Sequence, residues 1–579
     1  MRTLTTDVLV IGGGATGVGV LRDLAMRGIR AVLVEKGDLT HGTTGRYHGL
    51  LHSGGRYVVK DPQSATECAE ENEILRRIMP HCLEDTGGFF VITPADDEAY
   101  AERFLKGCRD THVPVNEIPV RDALKREPLL NPRISRVFEV RDGAADSFLA
   151  AHSNAEDAAR RGAQVPNYHV VKAIDLTDDR VSGAVCEDMR SGEDVRIHAS
   201  YIVNAAGAWA GKIAGMAGLT VTVVPGKGTM VAMNHRVLNT VVNRCKPPAD
   251  GDIIVPIRTV AVIGTTDMHV PDPDVFGIEP WEVERMLSEG EQLVPGISRM
   301  RVLRAWAGVR PLYKDQDAAS DRDIPRTYKL LDHETRDGVK GIISIVGGKW
   351  TTYRLMAKEA VDAVSEKLGV TAECRTHLEP LPQPFGFHWG SGSGRFAVTG
   401  TPAAEKREDD IAGRSTPDPR PAGGGFFWMG EPLAQVERDN TYGDLICECE
   451  LVTRDRLLKA ITEGGAANVD DLRRDTRLGM GPCQGGFCTY RAVALWDEVK
   501  GFDGDALAPS GALLRQFLQE RWKGLTAIAW GDQLRQARLD EIIYLDTLGL
   551  TLLPQSGAVE KTDGLVTNHP AIATEYHTD

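Results

Sequence analysis

Four cysteines near the C-terminus fall in two close pairs, Cys447-Glu-Cys449 and Cys483-Gln-Gly-Gly-Phe-Cys488, while the other six of the ten are scattered. Four thiolates so placed can hold zinc or an iron–sulfur cluster, and ligand softness alone does not choose between them. Glycines around the second pair leave backbone N–H groups able to donate to cluster sulfurs, which favours iron–sulfur over zinc. At the other end of the chain, Asp7-Val-Leu-Val-Ile-Gly-Gly-Gly-Ala-Thr-Gly17 runs an apolar strand through glycines into a helix. Gly12 lets the chain turn, Gly14 lets the backbone approach a pyrophosphate, and Gly17 lets the helix pack on the strand, with the helix dipole and free N–H groups aimed at the anion. A second strand, Ala31–Glu35, ends on an acid about 20 residues after the glycines, the spacing at which a carboxylate accepts from ribose hydroxyls. The expected chemistry is that of a bound dinucleotide and, separately, of a thiolate-held metal centre.

The elements that must position these groups can be read from composition and periodicity. The chain of 579 residues carries 67 basic and 82 acidic side chains, a net charge of −15, which argues against nucleic acid as a partner and means that an anionic substrate needs a local basic pocket. No apolar run is long enough to span a bilayer, and the first strand begins too near Met1 to leave room for a signal peptide. The scattered cysteines suit a reducing compartment. Residues 40–60 set glycines among His41, His48, His52, Arg46, Arg56 and Tyr57, a composition suited to backbone laid against a flat cofactor. A helix is expected over Ala65–Ile78 and another over Asp146–Arg161, and Tyr201–Trp209 is a strand closing on small residues, among them Ala206 and Gly207. Short β-type runs between about Val221 and Leu331 indicate a second domain on a mixed sheet. Gly341–Val346 is a buried-type strand entering Gly347-Gly348-Lys349 and a helix, a second anion-friendly helix start with Lys349 and Arg354 beside it.

The fingerprint, the His48–Tyr57 stretch, Ala307-Gly-Val-Arg-Pro-Leu312 and Gly347-Gly-Lys-Trp-Thr-Thr-Tyr-Arg354 together resemble the FAD-dependent glycerol-3-phosphate dehydrogenases, members of the D-amino-acid-oxidase-like flavoproteins. The cysteine spacing is similar to the small helical [2Fe–2S] domain related to bacterioferritin-associated ferredoxin, which the anaerobic enzymes carry on their large subunit. The resemblance implies an α/β fold: a discontinuous Rossmann-type FAD-binding domain (about 1–75, 142–215 and 335–380) with an interleaved α+β substrate domain (about 76–141 and 216–334). A flexible Gly/Pro-rich linker over 381–440, a mainly helical iron–sulfur domain over 441–500, a helical segment over 501–555 and a disordered tail over 556–579 complete the expectation.

By the same resemblance FAD is held by Gly12, Gly14, Gly17, Glu35, Thr43, Thr44, Ala206, Gly207, Gly347 and Gly348, and the cluster by Cys447, Cys449, Cys483 and Cys488. Glycerol 3-phosphate would be bound by Arg56, Tyr57, Arg310, Lys349 and Arg354, since a doubly charged phosphate calls for several cationic donors. His52 is the candidate base, with Arg310 and Lys349 assisting, although three histidines crowd that loop and Arg354 could equally serve a helix or a carboxylate. Implied partners are a quinone as final acceptor, a second flavin-containing subunit, plus an iron–sulfur membrane-anchoring subunit. The expected location is cytoplasmic, peripheral on the inner face of the cell membrane. Two other readings stay open: an amine or amino-acid dehydrogenase, and a flavoprotein whose cysteine module serves iron sensing or interaction. In the C-terminal segment, Leu514, Phe517, Leu518 and Trp522 form either a docking stripe or internal core.

Overall fold

The computed structural model describes residues 2–314, 327–383, 426–428, 430–501 and 507–550. In chain order, the elements that position the site are β1 (Arg2–Ile11), α1 (Ala15–Met26), β2 (Ala31–Val34), α2 (Pro62–Ile78), α3 (Ser147–Arg160), β3 (Glu193–Asn204), β4 (Val223–Met233), β5 (Val302–Tyr313), β6 (Ile342–Gly347) and α4 (Tyr353–Leu368). The C-terminal part adds α5 (Arg454–Thr462), α6 (Val469–Thr476), α7 (Thr489–Lys500), α8 (Leu507–Trp522) and α9 (Gly531–Glu541).

Val8-Leu9-Val10-Ile11 is apolar without alternation because β1 is paired on both edges and covered on both faces, as parallel strands are. The first sheet runs Tyr328–Asp332, β6, β3, β1, β2, with β1, β2, β3 and β6 mutually parallel where they pair. On one face α1, α3 and α4 bury Leu21, Ala155 and Val361 against the sheet. A second, nine-stranded sheet holds β4 antiparallel to β5, with Gly228 opposite Gly308 and Gly226 opposite Arg310. The chain passes between the two sheets more than once, so they form two interleaved domains, completed by a helical C-terminal unit.

Three features differ from the expected divisions. Tyr328–Asp332, assigned by sequence to the substrate domain, pairs antiparallel with β6 in the first sheet. Its brief apolar run carries no signal of which sheet it joins, so the division at 334 cut through a hairpin. Within the expected linker, Gly430–Asp439 is helical and Phe427 is buried under the Arg258 guanidinium; a window-averaged Gly/Pro composition conceals one short helix and one aromatic anchor. Residues 384–425 of that linker, and the tail 556–579, lie outside the described residues.

The cysteine-bearing unit has a core of its own, including Leu457, Leu472, Trp496 and Phe517, but Leu525 and Ile528, just after α8, are buried in the core of the second sheet. The C-terminal unit is therefore docked into the flavoprotein part rather than merely tethered to it. Arg474 pairs with Asp38 at 2.7 Å and the Tyr168 hydroxyl donates to Asp471 at 2.5 Å across the same junction. Leu514 and Phe517 of the candidate docking stripe face inward, whereas Trp522 is exposed. Among the described residues, no helix is long and apolar enough to cross a membrane.

Candidate functional site

The dinucleotide cradle is built where β1 meets α1. Gly12 has φ +110°, and a Cβ there would lie 2.7 Å from the Ala205 carbonyl oxygen at the end of β3. At Gly17 a Cβ would stand 1.8 Å from the Gly12 carbonyl oxygen, so both positions require glycine. Gly14 is the N-cap of α1 and caps it with no side-chain hydrogen bond, leaving the helix start open to an anion. A Cβ at Gly14 would meet one atom, the Thr44 hydroxyl at 3.0 Å, and would otherwise project into open space over the helix start. Thr44 itself accepts from the Ala15 N–H at 3.0 Å.

Glu35 is buried and accepts from the N–H groups of Gly13 (2.7 Å) and Gly37 (3.1 Å), one on each carboxylate oxygen. Burial outweighs those donors and raises its pKa. Each oxygen keeps lone-pair capacity for a ribose hydroxyl. Gly207 has φ +56° with open space beyond it, and Gly347 and Gly348 have φ +85° and +77° at the end of β6, ahead of the turn that leads into α4. The residues fit a dinucleotide such as FAD.

Beside this cradle a cavity opens between the 43–57 segment and the second sheet, lined by Thr43, Tyr47, His48, His52, Arg56, Tyr57, Thr265 and Arg310 among others. Thr43 ties the two walls together, its hydroxyl donating to the Val309 carbonyl at 2.5 Å. Arg56 donates to the buried Asp252 carboxylate at 2.7 Å and to the Ala249 carbonyl at 3.3 Å. Burial opposes its charge, but Asp252 prevails and raises its pKa. Arg310 projects from β5 and donates to Asp267 (2.9 Å), the Thr266 carbonyl (3.0 Å) and the Thr265 hydroxyl. The His52 ring lies 5.3 Å from the Tyr57 ring and 6.2 Å from the His48 ring. Its backbone N–H donates to Thr351 at 3.0 Å and its carbonyl accepts from Asn72 at 2.9 Å, so the loop is pinned to both α2 and the segment before α4.

Lys349 stands at the edge of this group, donating to the Ser64 hydroxyl at 2.8 Å with its ammonium 4.5 Å over the Tyr57 ring. Arg354 is elsewhere. It is buried in a forked ion pair with Glu71, one bond being 2.8 Å, and donates to the Thr376 hydroxyl at 3.2 Å. The structure thus brings His52, Arg56, Tyr57 and Arg310 to one cavity, sets Lys349 beside it, and gives Arg354 a carboxylate partner. Sequence reading did not single out Asp252, Asp267 or Thr265; the polar run Thr265-Thr266-Asp267 directly after a buried strand was the available signal.

The four cysteines converge from two loops. The Cys449 and Cys483 sulfurs lie 3.9 Å apart, and Cys447 and Cys488 are buried beside them. Hydrogen bonding from the Cys449 and Cys488 thiols, then from the N–H groups of Phe487 and Gly485, lowers the Cys483 pKa. Backbone N–H groups of Gly479 and Glu450 point likewise at Cys447, which is also lowered, chiefly by the Cys488 thiol. A Cβ at Gly481 would stand 2.3 Å from the Cys449 Cβ, so this close approach of the two loops needs glycine. Thiolates ringed by backbone donors suit an iron–sulfur cluster.

Comparison with known proteins agrees with this geometry. Residues 7–354 match the family model described as FAD dependent oxidoreductase, and 445–498 match the BFD-like [2Fe-2S] binding domain. The chain is 43% identical over 553 residues to the A1 subunit of the anaerobic glycerol-3-phosphate dehydrogenase of Haloferax volcanii, covering 94% of this chain and 90% of that one. It is 40% identical to the A subunit of the anaerobic glycerol-3-phosphate dehydrogenase of Escherichia coli, covering 94% and 97%. A glycerol-3-phosphate dehydrogenase of Bacillus halodurans, solved in complex with FAD, shares the fold with a TM-score of 0.63 at 21% identity, covering 91% of this chain and 96% of that one. Fold and site define an FAD-dependent oxidoreductase with a [2Fe–2S] domain, and the chain belongs to the family of the anaerobic glycerol-3-phosphate dehydrogenase A subunits.

Proposed function

We propose that this chain oxidises sn-glycerol 3-phosphate to dihydroxyacetone phosphate. The observation that carries the reading is the convergence of Arg56, Arg310 and His52 on one cavity beside the dinucleotide cradle. A phosphate dianion competes with Asp252 and Asp267 for the two guanidiniums, and both forks are already aimed by those carboxylates. Lys349 adds a point charge from the cavity edge. With the phosphate held, the secondary hydroxyl is presented to His52, which takes its proton on a ring nitrogen, while Tyr57 limits how far the ring can swing. FAD held at the dinucleotide cradle would supply the hydride acceptor for the same carbon, and a [2Fe–2S] cluster held by Cys447, Cys449, Cys483 and Cys488 would supply one-electron chemistry.

A cluster there would supply the route for electrons toward a quinone by way of a second flavin-containing subunit and an iron–sulfur membrane-anchoring subunit, with this chain peripheral on the inner face of the cell membrane. The lettered subunit names of the relatives support the presence of further subunits beside this one. Mixing the purified protein anaerobically with glycerol 3-phosphate should bleach the flavin absorption and then produce the electron paramagnetic resonance of a reduced cluster. Bleaching by glycine or proline but not by glycerol 3-phosphate would overturn the reading in favour of an amine or amino-acid dehydrogenase. Bleaching by neither would leave the interaction or iron-sensing role.

A further inference from the structure

Three arginines outside the substrate cavity meet the second cysteine pair. Arg301, just before β5, donates to the carbonyl of Pro482, next to Cys483, at 3.0 Å. Arg304, on β5, donates to the side-chain oxygen of Gln484 at 3.3 Å, and Arg521, near the end of α8, donates to that same oxygen. Gln484 follows Cys483 directly and is buried. Its orientation is set, because its NH2 group donates to the carbonyls of Met480 (3.1 Å) and Gly481 (2.9 Å), leaving the oxygen to the guanidiniums. Arg304 is held from behind as well: a Cβ at Gly524 would stand 2.6 Å from its guanidinium, and the Ala305 N–H donates to the Gly524 carbonyl at 2.9 Å.

Strand alternation makes this contact continuous with the substrate cavity. Arg304, Gly308 and Arg310 point to one face of β5, and the latter two line the cavity. Four residues of strand, about 13 Å at roughly 3.3 Å each, separate the cavity wall from the contact with the cysteine loop. The junction is also rich in positive charge. Arg46 and Arg473 act on Arg304 together with Asp470 and Glu520. Burial first, and then neighbouring arginines, hold Arg304 down to about 10 and Arg521 below the ordinary arginine range. Each electron entering a thiolate-bound cluster adds a negative charge, which such crowded cations favour.

We infer that Arg304 and Arg521, joined on Gln484, are positioning residues that hold the cysteine loop against β5 and raise the reduction potential of the cluster, drawing electrons from the cavity side. The inference rests on the reading that this cluster relays electrons from the flavin. It is tested on the holoprotein by a mediated redox titration followed by electron paramagnetic resonance, together with rapid mixing with glycerol 3-phosphate. A unit charge about 10 Å away at an effective dielectric near 20 changes such an equilibrium by roughly tenfold. Arg304→Gln and Arg521→Gln should therefore each disfavour cluster reduction about tenfold, equivalent to about 59 mV for a one-electron couple. Flavin reduction by substrate should stay at the wild-type rate while cluster reduction slows.

Arg304→Lys and Arg521→Lys keep the charge and should return the potential toward wild type. Gln484→Glu, which keeps the side-chain shape and adds a negative charge, should also lower the potential, and it decides the matter if an arginine variant fails to fold. An unchanged potential in Gln484→Glu, or Lys variants as low as the Gln variants, would overturn the inference. A wild-type cluster that substrate never reduces would instead defeat the relay reading, and the mediated titration would still decide the role of charge.

Discussion

Replacing Arg354 by methionine separates a structural from a substrate role at a position where sequence left both open. Arg354 and Glu71 are both buried, with side-chain exposures of 7% and 3%, and three guanidinium bonds satisfy the carboxylate and Thr376. Removing the cation strands a buried carboxylate, which costs about 3–5 kcal/mol, a large part of the ~5–15 kcal/mol that holds a domain folded. The cost should depend on pH with a definite sign. Burial already raises the Glu71 pKa, against the opposing pull of Arg354, and loss of the arginine raises it further. An acid whose pKa is higher folded than unfolded binds its proton more tightly in the native state. Its contribution is favourable below the unfolded value of about 4.3 and is lost as pH rises through the folded value.

The stability deficit of Arg354→Met should therefore be larger at pH 7 than at pH 5. It is measured by urea unfolding followed through flavin release, with steady-state kinetics in parallel. Glu71→Leu combined with Arg354→Met should recover most of the loss, because an apolar pair of similar volume replaces the ion pair. A stable Arg354→Met whose KM for glycerol 3-phosphate alone rises, with no rescue in the double variant, would refute this reasoning and return Arg354 to the substrate.

Other expected outcomes are direct. Gly14→Val should fold but purify without flavin, because its side chain fills the space over the start of α1 while meeting little of the protein; yellow protein would contradict the cradle. Gly481→Ala should lose iron yet retain FAD, since its Cβ collides with Cys449 and the flavin cradle lies in the other unit, as metal analysis and absorption would show. Arg310→Ala should lower kcat/KM for glycerol 3-phosphate about ten- to hundredfold, the range for one charge-assisted hydrogen-bonding side chain, and an equal loss on unphosphorylated glycerol would make it structural. In Cys483→Ser, flavin should remain reducible by substrate and by small dyes while transfer to quinone in the assembled complex falls sharply; undiminished quinone reduction would place the cluster off the path.

The parts legible in the sequence are those in which a local rule suffices. Gly17 follows from backbone sterics within one turn, where its Cβ would meet the Gly12 carbonyl, Gly12 and Gly14 follow from the fingerprint spacing, and the paired cysteines follow from ligand spacing. Arg56 and Arg310 stood out by residue type within recognisable motifs, but type alone did not separate them from Arg354, which differs only in the partner that folding brings to it. That partner, Glu71, lies 283 positions away in the chain, and no pattern of neighbours encodes it.

The same holds for Asp252 and Asp267, which aim the two cavity arginines, and for Tyr328–Asp332, whose sheet was decided by pairing with β6. It holds most for the junction, where Leu525 and Ile528 enter the core of the second sheet and Arg304 meets Gln484. The sequence by itself marked the dinucleotide fingerprint and the two pairs of thiolates, because each is a short local motif. Only the tertiary structure decided which charges face each other and that the two redox units are docked, because those contacts depend on the packing of surfaces far apart along the chain.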